Sequence, residues 1–280
     1  MIALADVTLC CVDCATPRLA LRALHASLDQ CAFASALLLT DAPIADARVV
    51  VRRIAPIDGK QAYSAFVLKG LLDHVATSHV LLVQWDGYVI DGARWEAGFR
   101  DFDYIGAPWT WRPAGQQVGN GGFSLRSRRL LEALADPAFP PGHPEDALIC
   151  RIWRPALEAS GMRFAGPATA RRFSVEMEPV APARDGGPCF GFHGLHHLWR
   201  SLHEADLPEL VAQLPAGWLR GDGADFLIAA YVARQRWREA LVVLLAVEAE
   251  VGAAAAARRL AQMGGDGAAL RAAIHARGAQ

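Results

Sequence analysis

The stretch "LLVQWDGYV" (residues 81–89) places an aspartate and a glycine directly after an apolar run. Residues 80–83 are consecutive apolar residues, the pattern of a strand that is covered on both faces. In a parallel α/β sheet, ligands bind beyond the carboxyl ends of the strands, which is where Asp86 would lie. An aspartate there is also a common turn or cap residue, and Gly87 permits close backbone approach.

The flanking sequence alternates between strand and helix patterns. This alternation predicts βαβ units and an α/β fold with a mostly parallel sheet flanked by helices. Asp13 and Asp41 also follow strand patterns and would lie at the same edge as Asp86. The predicted strands are residues 7–13, 35–41, 47–54 and 79–84, and the predicted helices are residues 16–30 and 60–76.

The residue composition of the chain changes at two further places, after residue 87 and near residue 204. After a glycine- and aromatic-rich region we predict a helix from Ser127, a helix over 143–161 interrupted at Pro155, and a strand over 170–179. The composition from residue 204 is helical, which predicts two domains, 1–203 and 204–280. Spacing around residues 237–244 is typical of a tetratricopeptide-type helix pair, and helices packed on the main domain would give the same pattern.

Composition narrows the function classes. The chain has 280 residues, 53% of them hydrophobic, and a net charge of −1. A near-neutral chain gives no electrostatic reason to expect nucleic acid or an anionic membrane as a partner. The sequence shows neither an apolar run long enough for a membrane span nor a signal-peptide pattern, so we expect a cytoplasmic protein.

Six cysteines include "CCVDC" (residues 10–14), in which Cys11 and Cys14 have C-x-x-C spacing. A zinc site of this type needs a second pair, and the sequence contains none. Adjacent strand residues face opposite sides, so Cys10 and Cys11 cannot share a site. Small buried thiols are the simpler interpretation, with metal or redox chemistry as the alternative.

Three further features could carry chemistry. Gly119, Asn120, Gly121 and Gly122 suit a loop whose backbone approaches a ligand, or an ordinary tight turn. His193 lies between two glycines in a stretch that cannot be regular helix, and neutral imidazole is a common ligand for manganese or zinc. His196 and His197 are better explained as surface or packing residues.

The acidic pair in "PED" begins a predicted helix. Carboxylates in a first helical turn often only complement the helix dipole. Glu145 or Asp146 could instead act as a general base beside a hydroxyl nucleophile. The helix N-terminus would then favour the ionised form of Asp146.

Six segments together resemble the signature of a bacterial family of unassigned, glycosyltransferase-like domains, over roughly residues 7–200. They occur in the same order: "LLVQWDGYVI", "FDYIGAPW", "GNGGFSLRS", "PEDALI", "FSVE" and "FGFHG". That family is similar to the GT-A glycosyltransferases, so the resemblance implies a GT-A-like nucleotide-binding sheet. It also implies transfer of a sugar from a nucleotide-sugar donor.

The resemblance also implies roles for individual residues. Asp86 and His193 would bind a divalent cation, Mn²⁺ or Mg²⁺, although Gln84 replaces the first aspartate of the usual D-x-D motif. Asp146 matches the catalytic base of inverting enzymes, with Glu145 in reserve. The other donor-binding candidates are Asp13, Lys60, Tyr63, Gln84, Asp86, Asn120, Gly121 and Gly122.

The leading hypothesis is therefore a metal-dependent, inverting glycosyltransferase whose acceptor is a glycan, a lipid-linked glycan or a protein. The helical tail could bind a protein partner or a second copy of the chain. One alternative is a catalytically silent module that binds nucleotide-sugars or glycans. A second is a nucleotidyltransferase, which would need a glycine-rich, basic segment after the first strand, and "DCATPRLA" offers little of this.

Overall fold

The computed structural model describes residues 1–176, 187–214, 217–263 and 266–279. These residues fall into two compact units. The first contains residues 1–176 and 188–193. The second contains residues 187, 194–214, 217–263 and 266–279. The first unit is an α/β structure and the second is helical. The predicted domain boundary at residue 203 stays a prediction.

The centre of the α/β unit is a sheet of six strands: β1 Ile2–Val12, β2 Cys31–Thr40, β3 Val50–Arg53, β4 His79–Val83, β5 Tyr104–Ile105 and β8 Ser124–Ser127. Their order in the sheet is β3–β2–β1–β4–β8–β5. The pairs β3–β2, β2–β1 and β1–β4 are parallel, whereas β8 is antiparallel to both β4 and β5. The predicted α/β fold with a mostly parallel sheet is confirmed.

Two ladders of two-residue strands lie outside the main sheet: β6 Ala107–Pro108 with β7 Val118–Gly119, and β9 Ser174–Val175 with β10 Gly191–Phe192. Strands β6 and β7 are antiparallel, and β9 and β10 are parallel.

The helices of this unit follow the strands in the predicted order. The helix predicted over 60–76 ends early, because Gly70 interrupts it and a 3₁₀ turn, Leu71–His74, follows. The helix predicted over 143–161 is broken by a π turn, Leu148–Ile152. The helices are α1 Pro17–Gln30, α2 Gly59–Lys69, α3 Arg128–Ala135, α4 Glu145–Ala147, α5 Arg154–Ala159 and α6 Pro167–Phe173.

The strand predicted over 170–179 is mostly wrong. Residues up to Phe173 belong to helix α6, which begins with Pro167 at a position that suits helix initiation, and only Ser174 and Val175 are extended. Residues 177–179 of that prediction lie outside the described residues.

Alternate residues of the central strands face opposite sides of the sheet. Cys11 of β1 belongs to the apolar cluster that contains Leu24 of α1, and Cys10 belongs to the cluster that contains Val67 of α2. Burial raises the pKa of the Cys10 thiol to about 12 and raises the pKa of Cys11 as well. Both thiols therefore stay protonated at neutral pH and act as small apolar core groups.

The second unit consists of α7 Leu207–Gln213, α8 Asp222–Ala233, α9 Trp237–Val251, α10 Ala253–Gln262 and α11 Gly267–Gly278, with short 3₁₀ turns before α7 and α8. Helices α8 and α9 pack on each other, and α9 also packs on α11. The tetratricopeptide-type repeat stays a prediction. In the described part of the chain, no single helix has the length and apolar composition of a membrane span. Helices α9 and α10 meet that requirement only together, across a bend of 119°.

Candidate active site

Asp86 lies on a tight turn at the carboxyl end of the central strand β4. The turn is closed by two backbone hydrogen bonds between Gln84 and Gly87, of 2.9 and 3.0 Å. Arg22 of α1 holds it from the side, donating to the Trp85 carbonyl at 3.1 Å. The turn keeps Asp86 nearly buried, at 6% exposure. A carboxylate is thus fixed at the edge where such sheets bind ligands.

His193 contacts this turn from the end of β10. Its Nε2 atom lies 3.6 Å from Asp86 Oδ1 and 3.1 Å from Gln84 Oε1. Its Nδ1 atom lies 3.2 Å from Glu176 Oε1. Burial alone would lower the pKa of His193, but the charges of Asp86, Glu176 and Asp146 outweigh it and raise the pKa to about 9. The imidazole therefore lies among oxygen atoms that attract either a proton or a metal ion.

The donor set at this point fits a divalent cation held partly by the protein. Two ligands of one Mn²⁺ or Mg²⁺ lie about 3–4 Å apart, because each metal–ligand bond is about 2.1 Å long. Asp86 Oδ1 and His193 Nε2, at 3.6 Å, meet that condition, and Gln84 Oε1 lies beside them. Within the described residues no group of three or more His, Cys, Asp or Glu side chains could hold a metal. Substrate oxygens would have to complete the coordination.

The glycine-rich loop packs against this cluster. A Cβ atom on Gly122 would lie 2.1 Å from His193 Nε2, and one on Gly121 would lie 2.2 Å from Glu145 Oε1. These glycines therefore make room for two protein side chains. The direct contact with a donor sugar that the sequence suggested stays a prediction.

Asn120 holds the loop in shape. Its backbone has a φ of 77°, in the left-handed region that asparagine tolerates better than most residues. Its Oδ1 atom accepts hydrogen bonds from the amides of Gly122 and Phe123, at 2.8 and 3.3 Å. Its Nδ2 atom is buried and has no hydrogen-bond partner in the part of the chain that the structure describes. A buried donor of this kind is costly unless a ligand or water satisfies it.

Asp146 lies on the other side of the same loop. Its Oδ2 accepts a hydrogen bond from Gly121 N at 3.1 Å, and its Oδ1 accepts one from Ala147 N at 2.7 Å. Burial raises the pKa of Asp146, and the neighbouring Glu145 carboxylate raises it further. The backbone amides of Ala147 and Gly121 do lower the pKa, as expected for a carboxylate at a helix N-terminus, but burial outweighs them, so the expected net shift toward the ionised form is wrong. Helix α4 has only three residues, too few to oppose burial.

Glu145 points into the protein. It pairs with the buried Arg126 at 3.4 Å and accepts a hydrogen bond from Ser64 at 3.0 Å. Ser64 in turn contacts His143 Nδ1 at 2.8 Å. Glu145 is therefore occupied by an internal network that ties α4 to β8 and α2. A role as the reserve base stays a prediction.

The remaining residues that the sequence predicted to bind the donor differ in their surroundings. Asp13 lies close enough to Asp86 to interact electrostatically, but its oxygens accept hydrogen bonds from Ala15 and Thr16 at the start of α1. Tyr63 is in the cluster, since its hydroxyl accepts a hydrogen bond from Gln84 Nε2 at 3.0 Å. Lys60 is exposed in the first turn of α2.

Two residues of the cluster were not predicted. Glu176 contacts His193, and Trp109 donates its indole N–H to Glu176 Oε2 at 3.0 Å. The pairing of β9 with β10 explains the first contact, because Val175 lies opposite Phe192 and the residues that follow them are neighbours. Glu176 ends the quoted segment "FSVE", but only recognition of this ladder would have pointed to it.

A family model described as "Protein of unknown function (DUF5672)" matches residues 48–193, just over half of the 280 residues. The matched range contains Gln84, Asp86, Asp146 and His193. A comparison with curated proteins found no match.

Solved structures with similar folds include sugar transferases and a synthetase. The mannosyltransferase PcManGT from Pyrobaculum calidifontis, in complex with GDP-Man and Mn²⁺, is 15% identical, with 97% of this chain and 79% of that chain covered and a TM-score of 0.41. An active-site mutant of LgtC is 13% identical, with 75% and 98% covered and a TM-score of 0.44. CMP:2-keto-3-deoxy-manno-octonic acid synthetase complexed with CTP is 12% identical, with 59% and 88% covered and a TM-score of 0.36. Likeness at this level concerns the outline of the fold.

Proposed function

We propose that this chain, which belongs to the DUF5672 family, is a glycosyltransferase. It moves a sugar from a nucleotide-sugar donor to an acceptor hydroxyl, with inversion at the sugar carbon. The observation that carries this proposal is the arrangement of Asp86, His193 and Asp146 around one loop, residues 120–122. That arrangement offers groups for both halves of the reaction, the departing diphosphate and the attacking hydroxyl.

The leaving-group side is formed by Asp86 and His193, which would hold Mn²⁺ or Mg²⁺ with the amide oxygen of Gln84 beside them. When bound, the cation supplies Lewis-acid stabilisation of the departing diphosphate. Tyr63 orients Gln84, because its hydroxyl accepts the amide N–H and leaves Oε1 turned toward His193. Gln84 brings no charge, so this site binds a cation chiefly together with the donor's phosphates.

The acceptor side is Asp146. Burial and the charge of Glu145 raise its pKa, which makes it a stronger base than an ordinary aspartate. The amides of Gly121 and Ala147 fix its orientation, and each carboxylate oxygen keeps a lone pair for a hydroxyl proton. Glu145 is paired with Arg126 and is not placed as a nucleophile. A single base in this arrangement favours direct displacement with inversion.

Donor and acceptor are assigned by chemical class. The Nδ2 atom of Asn120, which has no partner among the described residues, would donate to a sugar hydroxyl, and we assign Asp13, Lys60 and Tyr63 to binding the nucleotide. The acceptor is a glycan, a lipid-linked glycan or a protein. We assign the helical extension, residues 204–280, to binding an acceptor carrier or a second subunit.

Asp146→Asn tests the proposal. With a panel of nucleotide-sugars and Mn²⁺, we expect transfer and donor hydrolysis to fall about 100- to 10,000-fold, the usual contribution of general base catalysis. Donor affinity measured by calorimetry should stay within about threefold, because Asp146 faces the acceptor. The matched control is Asp136→Asn, which changes an exposed carboxylate of the same unit.

The outcomes separate the rival functions. Undiminished transfer by Asp146→Asn would remove the inverting-base mechanism. Donor binding by the wild type without turnover would identify a nucleotide-sugar-binding module. Release of pyrophosphate from a nucleoside triphosphate and a sugar would identify a nucleotidyltransferase.

A further inference from the structure

The hairpin loop between β6 and β7, residues 109–117, borders both halves of the candidate active site. At its start, the indole N–H of Trp109 donates to Glu176 Oε2 at 3.0 Å, and Glu176 Oε1 contacts His193 Nδ1 at 3.2 Å. At its end, β7 leads directly into the glycine-rich loop that contacts Asp146. The base of the hairpin loop is therefore fixed beside the residues proposed for the cation and for proton transfer.

A further contact ties the hairpin loop to the element that carries Asp146. Arg151 Nε donates to Gln116 Oε1 at 3.2 Å. Arg151 belongs to the π turn Leu148–Ile152, which follows helix α4 directly, and π turns are frequent at functional sites. The hairpin loop therefore extends along the side of the site on which we place the acceptor.

Trp111 exposes a large aromatic surface on this loop. It is 48% exposed, whereas Trp109 is 8% exposed, and the two ring centroids lie 6.4 Å apart with an interplanar angle of 40°. The face of an indole ring is electron-rich, and a ligand that covers it removes a large apolar area from water. A sugar ring suits this surface, because its faces carry C–H groups.

Two arginines give the same surface a positive charge. Arg112 is half-buried, and its Nε atom is buried without a hydrogen-bond partner among the residues that the structure describes. Arg151 donates to the neutral amide of Gln116, a contact that does not compensate its charge. The loop sequence, "WTWRPAGQQ", contains no acidic residue. Guanidinium groups bind carboxylates and phosphates through parallel N–H donors, so this surface favours an anionic ligand.

We infer that the hairpin loop is the acceptor-binding site and that the acceptor is a glycan carrying an anionic group. Trp111 stacks on a sugar ring, and Arg112 and Arg151 bind the carboxylate of an acidic sugar or the phosphate of a sugar phosphate. A neutral glycan or an uncharged protein segment would leave both arginines without an ionic partner. The role as acceptor rests on the proposed function, whereas binding of an anionic glycan does not.

The test measures binding of four disaccharides to the ¹⁵N-labelled full chain by NMR. Maltose is compared with maltose 1-phosphate, and galactobiose with digalacturonate, so that each pair differs in charge. We expect the charged member of at least one pair to bind about tenfold more tightly than the neutral member. It should also shift the indole N–H signal of Trp111, which is assigned by its loss in Trp111→Phe. The pair with the larger difference distinguishes a phosphate from a carboxylate ligand.

Variants separate the aromatic from the ionic contribution. Trp111→Ala removes the stacking surface and should weaken binding of charged and neutral sugars alike, by about tenfold. Trp111→Phe keeps an aromatic face and should retain these affinities to within about threefold. Arg112→Gln removes one charge and should weaken only the charged probes, by about tenfold.

The matched controls lie outside the hairpin loop. Trp218→Ala removes a tryptophan of similar exposure, 41%, and Arg94→Gln removes a half-exposed arginine, and neither should change the affinities. Equal affinity for the charged and neutral members of both pairs would overturn the inference. Unchanged binding by Trp111→Ala, or by Arg112→Gln, would overturn it as well.

The inference and the proposed function fail in different ways. A wild type that hydrolyses a nucleotide-sugar but binds none of the four probes would reject the anionic-glycan site and leave the proposed function standing. Binding of the charged probes without turnover of any nucleotide-sugar would reject the proposed function and leave an anionic-glycan site on this loop.

Discussion

A single histidine explains why glycines occur at two distant places in the sequence. A Cβ atom on Gly87 would lie 2.8 Å from the His193 ring, and one on Gly122 would lie 2.1 Å from it. The imidazole is therefore enclosed by the turn after β4 and by the loop before β8. The glycine that follows Asp86 provides the space in which the histidine approaches that carboxylate.

Gly122→Ala should displace His193 from Asp86. Contacts below 3.0 Å are not tolerated by real side chains, and His193 is held on its other side by Glu176. We expect a loss of about 1–3 kcal/mol in the free energy of unfolding from overpacking, and at least tenfold weaker Mn²⁺ binding. The control is Gly166→Ala, where a Cβ atom meets nothing within 4 Å. Unchanged Mn²⁺ binding by Gly122→Ala would place the cation away from His193.

Gln84→Glu should tighten cation binding. The variant keeps the reach of the side chain and adds a second carboxylate beside Asp86, which increases the charge that the site offers to a cation. We expect about tenfold higher Mn²⁺ affinity, measured by calorimetry. Gln61→Glu, which adds the same charge at an exposed position of α2, should have no such effect. Weaker binding by Gln84→Glu would show that the amide oxygen is not near the cation.

At the level of elements, the short helix α4 separates two carboxylates that are adjacent in sequence. Glu145 turns toward β8 and α2, whereas Asp146 turns toward the glycine-rich loop. The Arg126 side chain that pairs with Glu145 is 0% exposed. Glu145 therefore anchors the helix, and its neighbour Asp146 is the residue that we propose as the base.

Glu145→Gln should destabilise the protein strongly. It leaves the Arg126 charge buried without its counter-charge, which costs about 3–5 kcal/mol in the free energy of unfolding. Urea unfolding measures this loss. Glu132→Gln breaks an exposed pair with Arg128 in α3 and should cost no more than about 0.5 kcal/mol. Equal losses in the two variants would contradict a buried anchoring role for Glu145.

The order of elements could be predicted from sequence where strands are long and buried. The apolar run of β4 and the strand–helix alternation before it predict the parallel sheet, because a strand that is buried on both faces consists of consecutive apolar residues. The ladders β6–β7 and β9–β10 have two-residue strands, too short for any periodicity. The strand predicted over 170–179 combines the last four residues of helix α6 with the two residues of β9, and neither piece is long enough to show its own periodicity.

The residues of the candidate site also differ in whether the sequence alone could predict them. Asp86 and His193 could be proposed because their residue types and glycine neighbours are local signals. Trp109 and Glu176 are 67 residues apart and meet only through the tertiary fold. The opposite orientations of Glu145 and Asp146 also depend on tertiary partners, so the sequence alone could not separate the carboxylate that pairs with Arg126 from the one that faces the glycine-rich loop.

At the scale of the whole molecule, the predicted chemistry lies in one unit, and the helical unit carries its own ionic network. Glu248 of α9 accepts hydrogen bonds from Arg271 and His275 of α11. Burial raises the pKa of Glu248, but these two partners outweigh it and lower the pKa below its ordinary value. A carboxylate with a lowered pKa in the folded state stabilises that state above its unfolded pKa of about 4.3. That contribution is lost as the pH falls through the folded pKa.

Glu248→Gln should therefore lower stability by about 1 kcal/mol at neutral pH, and the difference from the wild type should shrink below about pH 4. Urea unfolding at several pH values measures it. Donor hydrolysis by the folded variant should equal that of the wild type, because we assign the extension no part in the chemical step. The control is Glu250→Gln near the end of the same helix α9, which removes an ion pair with the largely exposed Arg220. A loss of donor hydrolysis in folded Glu248→Gln would mean that the helical unit contributes to the chemical step, which would contradict our assignment of the chemistry to the α/β unit alone.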